Sequence, residues 1–227
     1  MILSILNKFR HTLAGLVLVG MVVPASASSN ADVCSPFQGG KVDSAVVQHM
    51  LDAASKGQLY QIQSDTSRIG FCIDSPIGLI QGDFKQFQGG FTMEQQAGDN
   101  QGKALFRVET GSVDVSNSFV RNMLEGESFL DSEHFPEMLF VSKGFYWVNE
   151  NEAVLVGDLT IRDVTRTVGF HVEMIEQESE IGQDGQLVQV KASTRISRAA
   201  FGIISMSSVV SDDISLCMQV EAVRYSA

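Results

Sequence analysis

The side chains able to do acid–base or metal chemistry are few and scattered. Downstream of a basic N-terminal stretch the histidines are His49, His134 and His171. Asp131, Glu133, His134 and Glu137 crowd one short stretch, and carboxylates beside an imidazole could hold a divalent metal. The spacing is not that of a regular ligand set, and an ordinary solvated crossover loop accounts for it better. Arg198 stands where a strand ends, beside Phe201-Gly202. It can contact either the polar end of a ligand or the carbonyls of the strand end. The three cysteines, Cys34, Cys72 and Cys217, allow one bridge and one spare thiol, with no Cys-x-x-Cys to suggest redox or zinc chemistry. Gly-x-Ser-x-Gly, His-Glu-x-x-His and a phosphate loop are all absent, so neither a hydrolase nor a nucleotide enzyme is signalled.

What remains is apolar chemistry, and the elements show where it would act. The chain starts with a targeting pattern: Lys8 and Arg10, an apolar run from Leu13 to Val23, then Ala25-Ser26-Ala27. The run is shorter than the roughly 20 residues that span a bilayer, so cleavage after Ala27 and export are expected. Residues 1–27 are read as the signal peptide, 28–58 as an extension with a short helix, and 59–227 as the main domain. Losing Lys8 and Arg10 takes the net charge from −11 to −13. A chain so acidic repels phosphate backbones, which excludes nucleic acid as an expected partner. No later stretch is apolar enough to span a membrane.

Val46, Val47, Met50, Leu51 and Ala54 fall at helical spacing between Asp43 and Lys56, with Asp43 as cap and Gly57 as stop. This helix is expected to pack on the body of the fold. From Leu59 onward the apolar residues alternate: 69, 71, 73; 104, 106, 108; 155, 159, 161; 168 to 174; 190 to 196; and 214 to 220. One helical stretch interrupts them, Asn117 to Phe129, with Phe119, Val120, Met123 and Leu124 on its apolar face. About eight strands with one apolar face can close into a barrel, or stack as a sandwich; alternation permits both.

In a barrel the inward parity selects Ile69, Phe71, Ile73, Phe106, Val108, Leu159, Ile161, Phe170, Val172, Ile196 and Met218, with Phe84 and Phe91 added. Arg198 joins them as the one charged candidate. His171 would face outward, as would Cys72 and Cys217, so any disulfide is expected to include Cys34. The composition, 14 Phe and 9 Met against 3 Tyr and 1 Trp, supplies apolar surface with few polar handles. That suits a dry cavity for an apolar ligand.

Five stretches in order resemble the YceI family. They are Arg68-Ile69-Gly70-Phe71, the segment Gly82 to Gly89, Ser128-Phe129-Leu130-Asp131 through His134-Phe135-Pro136, the run Gly157-Asp158-Leu159-Thr160-Ile161-Arg162-Asp163-Val164-Thr165-Arg166, and Ile196 to Gly202. Asp163 replaces the turn glycine usual in that family, and Ala200 replaces an aspartate before Phe-Gly. The latter removes a polar group able to hold a head group or a strand end. The resemblance implies an all-β fold: an eight-stranded antiparallel, lipocalin-like barrel with a helical crossover, in the periplasm. It implies binding of a polyisoprenoid lipid or a quinone tail in the lumen and allows a homodimer, while the missing motifs and irregular ligand spacing point to no catalysis and no metal. An extracytoplasmic stress or interaction protein with an incidental ligand is the alternative, and a hydrolytic or metal-dependent enzyme a more distant one.

Overall fold

The computed structural model describes residues 43–76, 78–92, 102–176 and 187–225. The expected leader and Cys34 lie outside them. The elements are α1 (Ser44–Ser55), β1 (Leu59–Ile62), β2 (Arg68–Ser75), β3 (Gly78–Phe84), β4 (Phe87–Thr92), β5 (Ala104–Glu109), β6 (Val113–Val115), α2 (Ser118–Glu125), β7 (Glu137–Trp147), β8 (Glu152–Ile161), β9 (Val164–Glu176), β10 (Leu187–Ser197) and β11 (Asp213–Arg224).

Three of the eight staves are broken in two: β1 with β2, β3 with β4, and β5 with β6. Each half pairs with the matching half of its neighbour, β1 with β4 and β2 with β3, β4 with β5 and β3 with β6. The remaining staves follow in sequence order, antiparallel throughout. Closure comes from β11. Its first half pairs with β2 (Ile214↔Ile73 to Gln219↔Arg68), and its last residues pair with β1 (Tyr60↔Arg224 to Ile62↔Ala222). That long-range pairing makes the sheet a barrel rather than a sandwich and leaves no open edge between first and last strands.

Strand parity sets the two faces. On β8, Ala153, Leu155, Gly157, Leu159 and Ile161 are buried while the residues between them are half exposed. β7 behaves differently. Phe140 is buried, but the register against β8 shifts between Ser142 and Gly144. This bulge moves the inward parity from even to odd numbers. Phe145 and Trp147 therefore pack on the core while Tyr146 is exposed.

Close packing inside requires glycine at some inward positions. A Cβ at Gly157 would lie 2.5 Å from the Phe140 ring and 2.6 Å from the Val141 carbonyl, and one at Gly89 would lie 2.9 Å from the Phe106 ring. Gly157→Ala is expected to destabilise the barrel by about 1–3 kcal/mol through overpacking. A urea denaturation midpoint unchanged from wild type would show that Phe140 can move aside.

The helix α1 starts as expected: the Asp43 carboxylate accepts from the Ala45 N–H at 2.9 Å. It ends at Gly57, whose φ is +63°. It packs on the outer wall, where Val47, Met50 and Ala54 cover Leu59, Leu105 and Leu139. In α2, the Asn117 side chain accepts from the Phe119 and Val120 N–H groups. The helix stops at Glu125 before Gly126 rather than reaching Phe129. Its buried face is Val120, Met123 and Leu124; Phe119, expected on that face, is 75% exposed. No helix among the described residues is long and apolar enough to cross a membrane.

Candidate functional site

The inward rows meet in two cavities. The larger, about 140 Å³, lies at the end of the barrel closed by the α2 crossover. Its walls include Ile69, Phe71, Ile73, Phe84, Phe106, Val108, Leu159, Ile161, Phe170, Ile196, Arg198 and Met218. The smaller, about 30 Å³, lies toward the other end and is walled in part by Phe91, Phe106, Val172 and Met218. Every residue placed inward from sequence parity thus lies on one of these walls.

Others on the walls were not expected. Phe140 was missed because the bulge breaks the alternation of β7. Met123, Leu124, Phe129 and Leu130 come from the crossover, and Ile203 and Val210 from the loop between β10 and β11. The burial of Phe129 and Leu130 follows from a turn, since the Leu130 N–H bonds the Leu124 carbonyl at 2.9 Å and folds the chain back under α2. Neither segment carries a strand period that would announce an inward face.

Arg198 is 2% exposed, the largest fully buried side chain among the described residues. Its guanidinium donates four hydrogen bonds to backbone carbonyls: Nε to Ser211 (2.9 Å), Nη1 to Ile203 (2.9 Å) and Ser205 (2.6 Å), and Nη2 to Val210 (3.0 Å). The fork of donors suits this role, which a point-charged ammonium could not fill. Of the two roles open to it from sequence, the structure shows the contact with carbonyls. The arginine pins the β10–β11 loop, and that loop carries Ile203 and Val210 onto the cavity wall. Nearby, the Ser197 hydroxyl and then the Ala199 N–H hold the Asp212 carboxyl below its ordinary range. The Asp212 Oδ1 accepts from the Ala199 N–H at 2.9 Å. Ala200 is exposed. The position where an aspartate is usual therefore faces outward, and its loss takes nothing polar from the lumen.

The acidic stretch at 131–137 is divided among separate partners. Glu137 pairs with Arg107 at 3.1 Å. Asp131 is 7% exposed and meets His134 Nδ1 at 2.8 Å and Arg162 at 3.7 Å. Among the described residues no three His, Cys, Asp or Glu side chains are grouped to hold a metal. The Asp131 carboxylate raises the His134 pKa, by its hydrogen bond first and its charge second. The sign follows: His134 stabilises the fold below the ordinary histidine pKa of about 6.5, and the contribution is lost as pH rises through the raised value. NMR titration is expected to place His134 above that ordinary value and Asp131→Asn to return it there; an unshifted His134 in wild type would contradict the pairing.

The run from Gly157 to Arg166 is the β8–β9 hairpin. Gly157 makes room for Phe140, and Leu159 and Ile161 face the lumen. Asp158 lies on the outer wall, bonded to Lys143 at 2.6 Å and to the Thr167 hydroxyl at 2.7 Å; Lys143 is the main cause of its lowered pKa. The left-handed residue of the turn is Arg162 (φ 57°), not Asp163. Replacement of a glycine at 163 therefore imposes no strain. His171 and Cys217 are exposed, and Cys72 is half-buried. A wider concavity, about 990 Å³, runs outside the barrel between such residues as Arg68, Asp83, Arg121, Glu173 and Lys191. It is open to solvent and rimmed by charged side chains, unsuited to an apolar tail.

A family described as YceI-like domain matches residues 60–222. The chain belongs to the YceI-like domain family. Among relatives of this YceI-like chain, a protein named UPF0312 from Serratia proteamaculans is 30% identical over 215 residues, 95% of this chain and 98% of the relative. Protein YceI of Escherichia coli O157:H7 is 28% identical over 150 residues, covering 64% and 74%. Among solved structures, Burkholderia cenocepacia BcnA superposes with a TM-score of 0.62 at 21% identity, over 70% of this chain and 98% of BcnA. A polyisoprenoid binding domain from Saccharophagus degradans superposes with a TM-score of 0.53 at 11% identity, over 72% and 97%. At such identities the likeness is one of fold, and the YceI-like barrel is shared.

Proposed function

We propose that this YceI-like barrel binds and carries a long apolar isoprenoid, a polyprenyl chain or the tail of a quinone, with the tail held in the lumen. The observation that carries the reading is the cavity of about 140 Å³ whose lining holds Arg198 and Cys217 as its ionisable side chains. Arg198 is engaged by loop carbonyls, and Cys217 follows the outward parity of its strand. Apolar cavities of about 150 Å³ stay dry and take a benzene-sized guest, which is the bulk of a branched isoprenoid segment. Burial of each CH₂ group is worth about 0.8 kcal/mol, so a tail gains affinity with every methylene it places inside. The polyisoprenoid-binding domain with the same fold supports the choice of ligand.

The reading is of binding and transport rather than turnover, in keeping with a wall that offers no paired acid and base. The periplasm is the proposed location, on the strength of the basic stretch, apolar run and Ala25-Ser26-Ala27. Trp147, the one tryptophan, packs edge-on against Phe145 at 5.1 Å, and Phe145 lines the smaller cavity. Titration with a ubiquinone analogue is expected to quench Trp147 saturably, because a quinone ring or a displaced Phe145 perturbs it. A linear, unsaturable response would count against a lumen site.

A further inference from the structure

We infer that Met218 sets how long a tail the barrel accepts; this rests on the carrier reading above. The two cavities lie end to end and have two lining residues in common, Phe106 and Met218. These two side chains form the waist between them.

The two sides of the waist differ in freedom. Phe106 is 7% exposed, lies against Gly89, where an added Cβ would come within 2.9 Å of its ring, and packs at a tilt of 58° against Phe140, 6.1 Å between centroids. It has nowhere to go. Met218 is half-buried, has three rotatable side-chain bonds, and stands in register with Ala192 on β10 and Ile69 on β2. Ala192 leaves room beside it. Rotation of Met218 toward Ala192 joins the cavities into one lumen; with Met218 across the waist, a tail fills the larger cavity and stops there. The methionine is thus a specificity residue that acts on tail length, and it touches the ligand at the point where a longer chain must pass.

The test uses the full mature chain, stripped of lipid, and three prenyl alcohols of increasing length: geraniol, farnesol and geranylgeraniol. In the wild type, affinity rises along the series until the gain from a further isoprene unit no longer offsets the rotation of Met218 that lets it past the waist. In Met218→Ala the plateau moves to a longer alcohol, with a gain of about tenfold for geranylgeraniol. In Ala192→Val, which fills the space Met218 needs, the plateau moves to a shorter alcohol while geraniol binding is unchanged. The opposite directions of the two variants separate a gate from general loosening of the core. Identical plateaus in all three proteins overturn the gate and leave the carrier reading standing. Failure of the wild type to bind any of the alcohols overturns both.

Discussion

Arg198→Ala is expected to lower the unfolding free energy by about 3–5 kcal/mol, a large fraction of the stability of a single domain. The arginine is 2% exposed and is bonded to four carbonyls between Ile203 and Ser211. Deleting it leaves those acceptors without a donor in a dry environment, at about 1–3 kcal/mol for each that stays buried. Part of the loop will instead move out to water, which limits the total. Arg198→Lys is expected to recover only a small part, because one compact ammonium cannot reach carbonyls spread around a planar fork. Both variants should also lose ligand, since Ile203 and Val210 reach the cavity only through this loop. Urea unfolding with a constant m-value reads the effect directly. A shift below about 1 kcal/mol for Arg198→Ala would show that the loop holds itself.

Phe170→Ala and His171→Ala should differ as sharply as any adjacent pair in the chain. Phe170 is 3% exposed and meets Phe140 edge-on at 5.3 Å; its loss is expected to cost about 3–5 kcal/mol. His171 faces out from the same strand, and its removal should stay within about 0.5 kcal/mol. Ligand content should follow the same division. Phe106→Leu and Val108→Ala reshape the inner wall while keeping it apolar, and are expected to change which tails co-purify. His171→Ala and Glu173→Ala should leave them unchanged. Because a one-residue slip exchanges the faces of a strand, lipid loss from the outer pair with a silent inner pair would contradict both the register and the lumen.

The contrast also shows what was legible in the residues alone. Where a strand runs unbroken, as β8 and β9 do, parity assigned the faces of Leu159, Ile161, Phe170 and Val172 without any contact being known. The cap at Asp43 was readable because capping is local. Phe140 and Phe145 were not, since the bulge at Ser142–Gly144 changes the parity between them and leaves no mark that a period of two can detect. Closure as a barrel was implied by the family resemblance and not by the alternation itself. Alternation permits a sandwich too, and the deciding pairing joins Tyr60 to Arg224 across nearly the whole domain. Arg198 was noticed as unusual, but the choice between ligand contact and loop support depends on how the loop at 203 to 211 folds its carbonyls back around the guanidinium, which no periodicity announces. The end wall from Met123, Phe129 and Ile203 escaped for the same reason: irregular segments carry no period, and their burial is decided by what they close.

The central claim is that the lumen holds an isoprenoid tail. It is tested most directly by exporting the protein in a bacterial host, purifying the mature chain without detergent, extracting it with organic solvent and identifying the extract by mass spectrometry. A polyprenyl chain or prenylated quinone is expected at close to one molecule per protein, reduced or altered in length in Phe106→Leu and retained in His171→Ala. An empty extract from folded protein that also fails to take up added isoprenoid would contradict it.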